Sequence, residues 1–141
     1  MSEKLYRMSK VCIDNAFHCL SDMELYQARY DTNMSKANFD IACFYVCRAL
    51  KHVMQAVLQE YGVEYGTKGD ILGLLNIIQD KTDFRFQIES EIKLVADTVE
   101  SWEEEGRYGH ITSSKQDLLS AISMFYDIDE EFQKELSRRT K

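Results

Sequence analysis

The sequence has 141 residues, a formal net charge of −7 at pH 7, no proline and only six glycines. This length is typical of a single domain, and the scarcity of turn residues favours a few long helices over many short strands. The negative charge argues against a general nucleic-acid coat, because neutralising phosphates requires a basic face, although a local basic site stays compatible with it.

The sequence also indicates a cytoplasmic protein without a membrane span. No apolar run reaches the roughly 18 residues that a span requires, and the first ten residues, MSEKLYRMSK, lack the apolar core of a signal peptide. In the cytoplasm we expect reduced cysteines, and these are Cys12, Cys19, Cys43 and Cys47. Because no CxxC pair is present, we interpret them as small buried apolar residues; a soft-metal site is the alternative. We therefore predict no metal and no cofactor.

The first predicted helix covers residues 2 to about 29. Its apolar residues recur three and four positions apart, as a narrow seam that packs along a partner helix. The seam consists of Leu5, Met8, Cys12, Ala16, Cys19 and Met23. The polar residues 30–33, YDTN, are predicted to form a tight connection into the second helix.

The second predicted helix contains residues 38–61 and ends near Gly62. Its apolar side is predicted to pack inside the domain and consists of Ala42, Val46, Ala49, Val53 and Val57. Four polar residues, spaced four, three and four positions apart, lie in one row on another side. This polar row consists of Arg48, His52, Gln55 and Gln59. It is either a binding surface or a solvated side that keeps the domain soluble.

A short third helix is predicted after the loop 62–69, with Thr67 and Asp70 as a capping pair. It is apolar nearly all round and is therefore expected to be deeply buried. The three glycines and Lys68 of the loop could approach a phosphate, but no GxxxxGK[ST] motif is present. A glycine-containing connector is the favoured interpretation.

Two longer helices complete the chain. The fourth helix is predicted to end at Gly106. Its apolar stripe consists of Ile88, Ile92, Val95, Val99 and Trp102. The acidic run 103–105 opposes the helix dipole, so we expect an Arg or Lys nearby. The fifth helix is predicted to begin at Ser113, with Gln116 at capping-box spacing. We predict one all-α domain over residues 1–141, with a core of about 5–136 and a frayed basic tail at 137–141.

The order of these pieces resembles the HEPN family, the higher eukaryote and prokaryote nucleotide-binding domains, from about residue 8 to 136. The residues that carry the resemblance are ALKHVMQAVL at 49–58, GDILGLL at 69–75, and the RYG at 107–109 that follows a tryptophan and acidic residues. The resemblance implies an antiparallel up-and-down four-helix bundle with an additional short helix, usually as a homodimer. It also implies a minimal nucleotidyltransferase as partner, often in a toxin–antitoxin pair.

The resemblance transfers functional residues unevenly. Ala49 and Ala56 match the family's second-helix pattern, whereas the polar residues around them are exchanged. Gly69, preceded by Lys68, stands where the family usually has a histidine. Ribonuclease members carry an Arg and a His with four to six residues between them. Two residues separate Arg107 from His110 and three separate Arg48 from His52, so neither pair fits that spacing.

Three functions stay open at this point. We favour the first two, ligand binding and protein interaction, over catalysis. The first is binding of a nucleotide or RNA, in which Arg supplies a bidentate phosphate contact and Tyr a stacking face. Its predicted ligand-binding residues are Arg48, His52, Gln55, Lys68, Arg107 and Tyr108. The second is interaction with another protein through the exposed side of the first helix, with Met23, Tyr26, Tyr30 and Met34 at the interface.

The third function is metal-independent RNA cleavage. Arg107 would hold the scissile phosphate and His110 would take the proton of the 2′-hydroxyl. The competing interpretation is that Arg107 neutralises the acidic run 103–105 and that Tyr108 packs into the core.

Overall fold

The computed structural model describes residues 2–66 and 69–140, and these residues form five α-helices and no strand. The helices are α1 (Ser2–Ala28), α2 (Thr32–Glu60), α3 (Ile71–Lys81), α4 (Glu89–Tyr108) and α5 (Lys115–Arg139). The prediction of an all-α fold is confirmed. The up-and-down order of the four long helices stays a prediction.

α2 is the central helix, because it packs against each of the other four. The side chains predicted to form its apolar side have no exposed surface: Ala42, Val46, Ala49, Val53 and Val57. Close approach is possible where neighbouring side chains are small. At Gly106 of α4, for example, an added Cβ atom would lie 3.2 Å from the carbonyl oxygen of Asp40. The predicted packing side of α2 is confirmed.

α2 is also long and apolar enough to cross a membrane by length and composition, contrary to the expectation that no such run exists. The structure buries 67% of this apolar window against the other helices. A helix that is apolar over much of its circumference is typical of the centre of a helical domain as well as of a membrane span. The packing of α2 corresponds to the first case.

α1 packs with a seam that is displaced by one position from the predicted one. Its buried residues are Ser9, Ile13, Ala16, Leu20 and Met23. Met8 is exposed, whereas Leu5, Cys12 and Cys19 are half-buried beside the seam. The displacement has a physical cause, because α1 contacts α2 on one side and α5 on the other. The most buried line of a helix lies between its two neighbours. Burial of Met23 also removes it from the predicted interface.

The connection between α1 and α2 contains only residues 29–31. Asp31 is the N-cap of α2 and accepts a hydrogen bond of 3.1 Å from the backbone nitrogen of Met34. Tyr30 has a φ of +62°, in the left-handed region that residues other than glycine rarely adopt. The predicted tight connection is present, and α2 begins six residues before the predicted stretch.

The remaining helix ends differ from the predictions by one to three residues. Asp70 caps α3 through the nitrogen of Gly73, at 2.6 Å, while Thr67 lies outside the described residues. α4 continues past Gly106 to Tyr108 and ends at Gly109, which has a φ of +69°.

The N-cap of α5 lies one residue later than predicted, and the helix itself begins at Lys115. Ser114, not Ser113, forms the capping box, with Asp117 as its partner in place of Gln116. The hydroxyl of Ser113 instead accepts a 2.9 Å hydrogen bond from the Trp102 indole nitrogen. The tail predicted to be frayed from 137 is helical as far as Arg139, whose guanidinium lies 4.2 Å from the ring centre of Tyr61. Tertiary contact therefore extends the last helix.

Candidate functional site

The polar row of α2 lines one wall of a groove with a volume of 480 Å³, called here the α2 groove. The other walls come from the residues that precede α3 and from α4. Its lining consists of Arg48, Lys51, His52, Gln55, Gly69, Asp70, Glu100 and Glu103. The structure thus brings together three of the predicted binding residues. Gln59, the fourth member of the row, does not line the groove, and its side-chain oxygen is buried without a hydrogen-bond partner.

Two cations of α2 are paired with carboxylates of α4. A guanidinium nitrogen of Arg48 lies 2.9 Å from Glu103 Oε1, and Lys51 Nζ lies 2.6 Å from Glu100 Oε1 and also contacts Glu103. Burial raises the pKa of Glu103, but hydrogen bonds from Lys51 and Arg48 outweigh it and leave that pKa below its ordinary value. The cation expected near the acidic run 103–105 is therefore supplied by α2.

Lys51 is a site residue that the sequence analysis did not single out. It is buried, and burial alone would lower the pKa of its ammonium group. Hydrogen bonds to Glu100 and Glu103 reverse that effect and raise the pKa, so Lys51 is charged at neutral pH. A signal was present in the sequence, since a lysine flanked by buried apolar residues requires a carboxylate partner.

His52 is half-buried on the wall of the α2 groove. Its Nδ1 lies 3.3 Å from Gln55 Oε1, which makes Nδ1 the donor and leaves Nε2 as an acceptor. Burial lowers the pKa of His52, and the hydrogen bond with Gln55 opposes this without reversing it. The imidazole is therefore neutral at pH 7 and offers hydrogen bonds without a positive charge.

The charges of the α2 groove favour a neutral polar group over a phosphate. Arg48 and Lys51 are its cations, whereas Asp70, Glu100 and Glu103 are acidic. An ionised phosphate would meet more negative than positive charge there. The same lining offers both hydrogen-bond donors and acceptors, and the edge of a nucleobase is recognised by such a combination.

Arg107 and Tyr108 lie in a neighbouring groove at the end of α4. This groove is lined by five carboxylates: Asp97, Glu100, Glu103, Glu104 and Glu105. Glu100 and Glu103 also line the α2 groove, so these two carboxylates separate Arg107 from Arg48. Tyr108 is 66% exposed, so the interpretation that it packs into the core is wrong.

His110 is exposed beyond the end of α4, and its ring centre lies 6.4 Å from that of Tyr108. It does not line the groove that contains Arg107. The backbone nitrogen of His110 donates to the carbonyl of Glu105 at 3.0 Å, which completes the last turn of α4. The structure therefore does not place the two predicted catalytic side chains on one shared concave surface.

The segment around His110 is tied to α2 by a buried carboxylate. Asp40 is buried and accepts a hydrogen bond from Lys36 Nζ, which also donates to the carbonyl oxygen of Ile111. A Cβ atom at Gly109 would lie 3.6 Å from Asp40 Oδ2. Sequence reasoning missed this link, although the i,i+4 spacing of Lys36 and Asp40 is typical of a helical ion pair.

Two further predictions concern Lys68 and the cysteines. Lys68 lies outside the described residues, whereas Gly69 lines the α2 groove. Cys43 and Cys47 are fully buried, as predicted, and burial raises the pKa of each thiol to about 12. Over residues 2–66 and 69–140, no three His, Cys, Asp or Glu side chains cluster in a way that could hold a metal ion.

Comparison with known proteins identifies one family. The model of the HEPN domain matches residues 11–134, which is most of the chain. No curated protein and no solved structure shows a significant match to the chain.

Proposed function

Since the chain belongs to the HEPN domain family, we propose that it is a nucleotide-binding and protein-interaction module that does not cleave RNA. Its partner is a minimal nucleotidyltransferase, and the two act as a toxin–antitoxin-like pair in the cytoplasm. We also infer that α1, α2, α4 and α5 form the antiparallel up-and-down bundle and that the domain is a homodimer.

The α2 groove is the observation that supports binding. Arg48 keeps 41% of its side chain exposed while one guanidinium nitrogen is paired with Glu103, so its other donors are available to a ligand. Neutral His52 and the amide of Gln55 add a further donor and acceptor on the same wall. A nucleobase edge is satisfied by such a set of hydrogen bonds.

The charge around Arg107 supports the absence of catalysis. Cleavage of RNA without a metal requires a cation that holds the phosphate in the transition state. Arg107 shares its groove with five carboxylates, which would repel a scissile phosphate. His110, the base predicted for that reaction, does not line that groove.

Calorimetric titration with adenosine, which presents a base edge without a phosphate, tests the binding proposal. We expect wild-type protein to bind adenosine and Arg48→Ala to bind about tenfold more weakly, the usual cost of one charged hydrogen bond. Arg7→Ala is the matched control, because Arg7 is an exposed cation paired with Glu3 on α1 and does not line the α2 groove. Absence of heat with wild type, or equal binding by Arg48→Ala, would show that the groove is not the site.

An endoribonuclease that uses Arg107 and His110 is the second candidate. It is favoured by the exposure of both side chains around one helix end, where a second subunit could complete the site. Labelled RNA is incubated with the protein in EDTA. Cleavage that disappears in both Arg107→Ala and His110→Ala would establish this candidate, whereas uncleaved RNA excludes it.

Light scattering of the purified chain tests the homodimer. We expect twice the 16.5 kDa mass of the chain. A monomer at high protein concentration would contradict this part of the proposal.

A further inference from the structure

A second groove, called here the end groove, lies where the connection between α1 and α2 meets the segment that leads into α5. It has a volume of 910 Å³, within the range of roughly 300–1,000 Å³ that small-molecule sites occupy. The residues used below are Met23, Tyr30, Lys36, Phe39, Ile111 and Lys115, all of which line it.

The floor of the end groove is apolar and structurally fixed. Met23, Phe39 and Ile111 are buried core residues, each with 7% or less of its surface exposed. The carbonyl of Ile111 accepts from Lys36, and the carbonyl of Met23 accepts a 3.1 Å hydrogen bond from Ser35. A flat apolar ring could therefore lie on this floor without rearrangement of the helices.

The charge of the end groove is opposite to that of the whole protein. Lys36 and Lys115 line it, and no Asp or Glu does, although the chain has 24 acidic and 17 basic residues. Both lysines have acidic partners outside the lining: Lys36 pairs with Asp40, and Lys115 Nζ lies 2.9 Å from Glu24. About half of each lysine side chain is exposed, and each ammonium group keeps at least one N–H donor for a ligand. The α2 groove and the Arg107 groove both contain several carboxylates.

Tyr30 supplies the rim of the end groove at a conformational cost. Its φ of +62° is disfavoured for a bulky residue, and its side chain is 92% exposed. The ring is therefore almost wholly outside the core, and among the described residues it packs against no other aromatic side chain. Backbone strain that brings no packing is typical of ligand-binding positions.

We propose that the end groove binds a small aromatic anion, with its ring between the apolar floor and Tyr30 and its phosphate or carboxylate paired with Lys115 and Lys36. This site is separate from the α2 groove and does not depend on the function proposed for that groove. Thr32 and Lys115, the first residues of α2 and α5, both line the end groove. The dipoles of these two helices add positive potential there, partly offset by the N-cap Asp31 and by Asp117, the capping-box partner of Ser114.

Titration of the full chain with 1-naphthyl phosphate tests this site. We expect binding that is at least tenfold tighter than that of uncharged 1-naphthol or of inorganic phosphate, because each lacks one half of the recognition. A parallel titration with 1-naphthylacetate distinguishes a phosphate from a carboxylate ligand. If neither 1-naphthyl phosphate nor 1-naphthylacetate binds at millimolar concentration, the proposal is wrong.

Two variants locate the binding. Lys115→Gln is expected to weaken the affinity about tenfold. Lys93→Gln is the control and should leave the affinity unchanged, because Lys93 is an equally exposed lysine that is paired with Glu89 on α4. Tyr30→Gly is expected to weaken binding severalfold without lowering the Tm, since glycine accepts a positive φ. If Tyr30 only stabilised the fold, Tyr30→Gly would lower the Tm together with the affinity.

Three outcomes contradict the proposal. The first is that Lys115→Gln and Tyr30→Gly both bind 1-naphthyl phosphate as tightly as wild type. The second is that Arg48→Ala abolishes this binding while Lys115→Gln does not, which would assign the anion to the α2 groove. The third is that 1-naphthyl phosphate changes the oligomeric mass of the protein but shows no binding that depends on Lys115 or Tyr30. That result would identify the end groove as a contact between copies of the chain.

Discussion

Asp129 is a buried carboxylate of α5 whose charge is satisfied by side chains of α1. Tyr6 and Lys10 each donate a hydrogen bond to it, and Gln133 donates a third at 3.1 Å. Burial raises the pKa of the Tyr6 hydroxyl, and the hydrogen bond to Asp129 raises it further, so Tyr6 stays a donor at all physiological pH values. These contacts form a polar link between the first and last helices.

Replacement of Asp129 is expected to destabilise the domain. Asp129→Ala leaves Tyr6 and Lys10 without their acceptor and should lower the free energy of unfolding by about 2–3 kcal/mol, whereas Asp129→Asn should cost roughly half as much. Urea unfolding followed by circular dichroism measures the difference. Asp127→Ala, at an exposed position of the same helix, is the control, with an expected change below about 0.5 kcal/mol. Equal stability of Asp129→Ala and the control would show that the link contributes nothing.

The sequence predicts which polar side chains lie on the same side of one helix. It does not predict which side chains of a distant helix they contact. Arg48, His52 and Gln55 face one groove because helical spacing places them in one row. The partners of Arg48 and Lys51 are on α4, some fifty residues away, and nothing local specifies that contact. For the same reason, the sequence indicated a cation near the acidic run 103–105 without identifying which one.

The elements were predicted better than their ends. Asp70 and Asp31 cap helices where short polar side chains precede an apolar run, as local rules require. At α5 two adjacent serines compete, and the outcome depends on Trp102 of α4, which takes the hydroxyl of Ser113 as its acceptor. The seam of α1 was displaced because two neighbours, not one, determine which side of the helix is buried.

The connection between α1 and α2 contains the residue whose replacement should stabilise the domain. Tyr30→Gly removes the left-handed backbone cost, about 1–2 kcal/mol, and adds about 0.5–1 kcal/mol of unfolded-chain entropy. We therefore expect a net gain of about 0.5–1 kcal/mol in the free energy of unfolding, measured by thermal and urea unfolding. Tyr30→Val is the matched comparison and should be less stable than wild type, because a β-branched residue tolerates this φ poorly. A loss of stability in Tyr30→Gly would mean that the tyrosine ring has a packing role.

In the whole molecule, every other helix packs against α2, and this determines which side chains solvent can reach. The all-α class followed from helical spacing and the absence of proline. The central position of α2 was indicated by its broad apolar side. Which helix covers which part of α2 depends on contacts between distant segments, so the sequence left that arrangement open.

The reactivity of the cysteine thiols measures how well the other helices shield α2 from solvent. Burial raises the pKa of the Cys43 and Cys47 thiols to about 12, so at pH 8 almost none of either thiol is ionised. In the folded protein we expect Ellman's reagent to modify at most the half-buried Cys12 and Cys19, and all four thiols after unfolding in urea. Cys43→Ala and Cys47→Ala separate the contributions of the buried pair. Rapid reaction of four thiols without denaturant would contradict the central packing of α2.

The apolar window of α2 has a consequence for the unfolded chain. In the folded domain, 67% of that window is buried. When the domain unfolds, the window is exposed as a segment as apolar as a membrane span, which is the type of sequence that chaperones bind and that aggregates when they do not. Mutations that weaken packing should therefore reduce the abundance of the protein before they alter its binding.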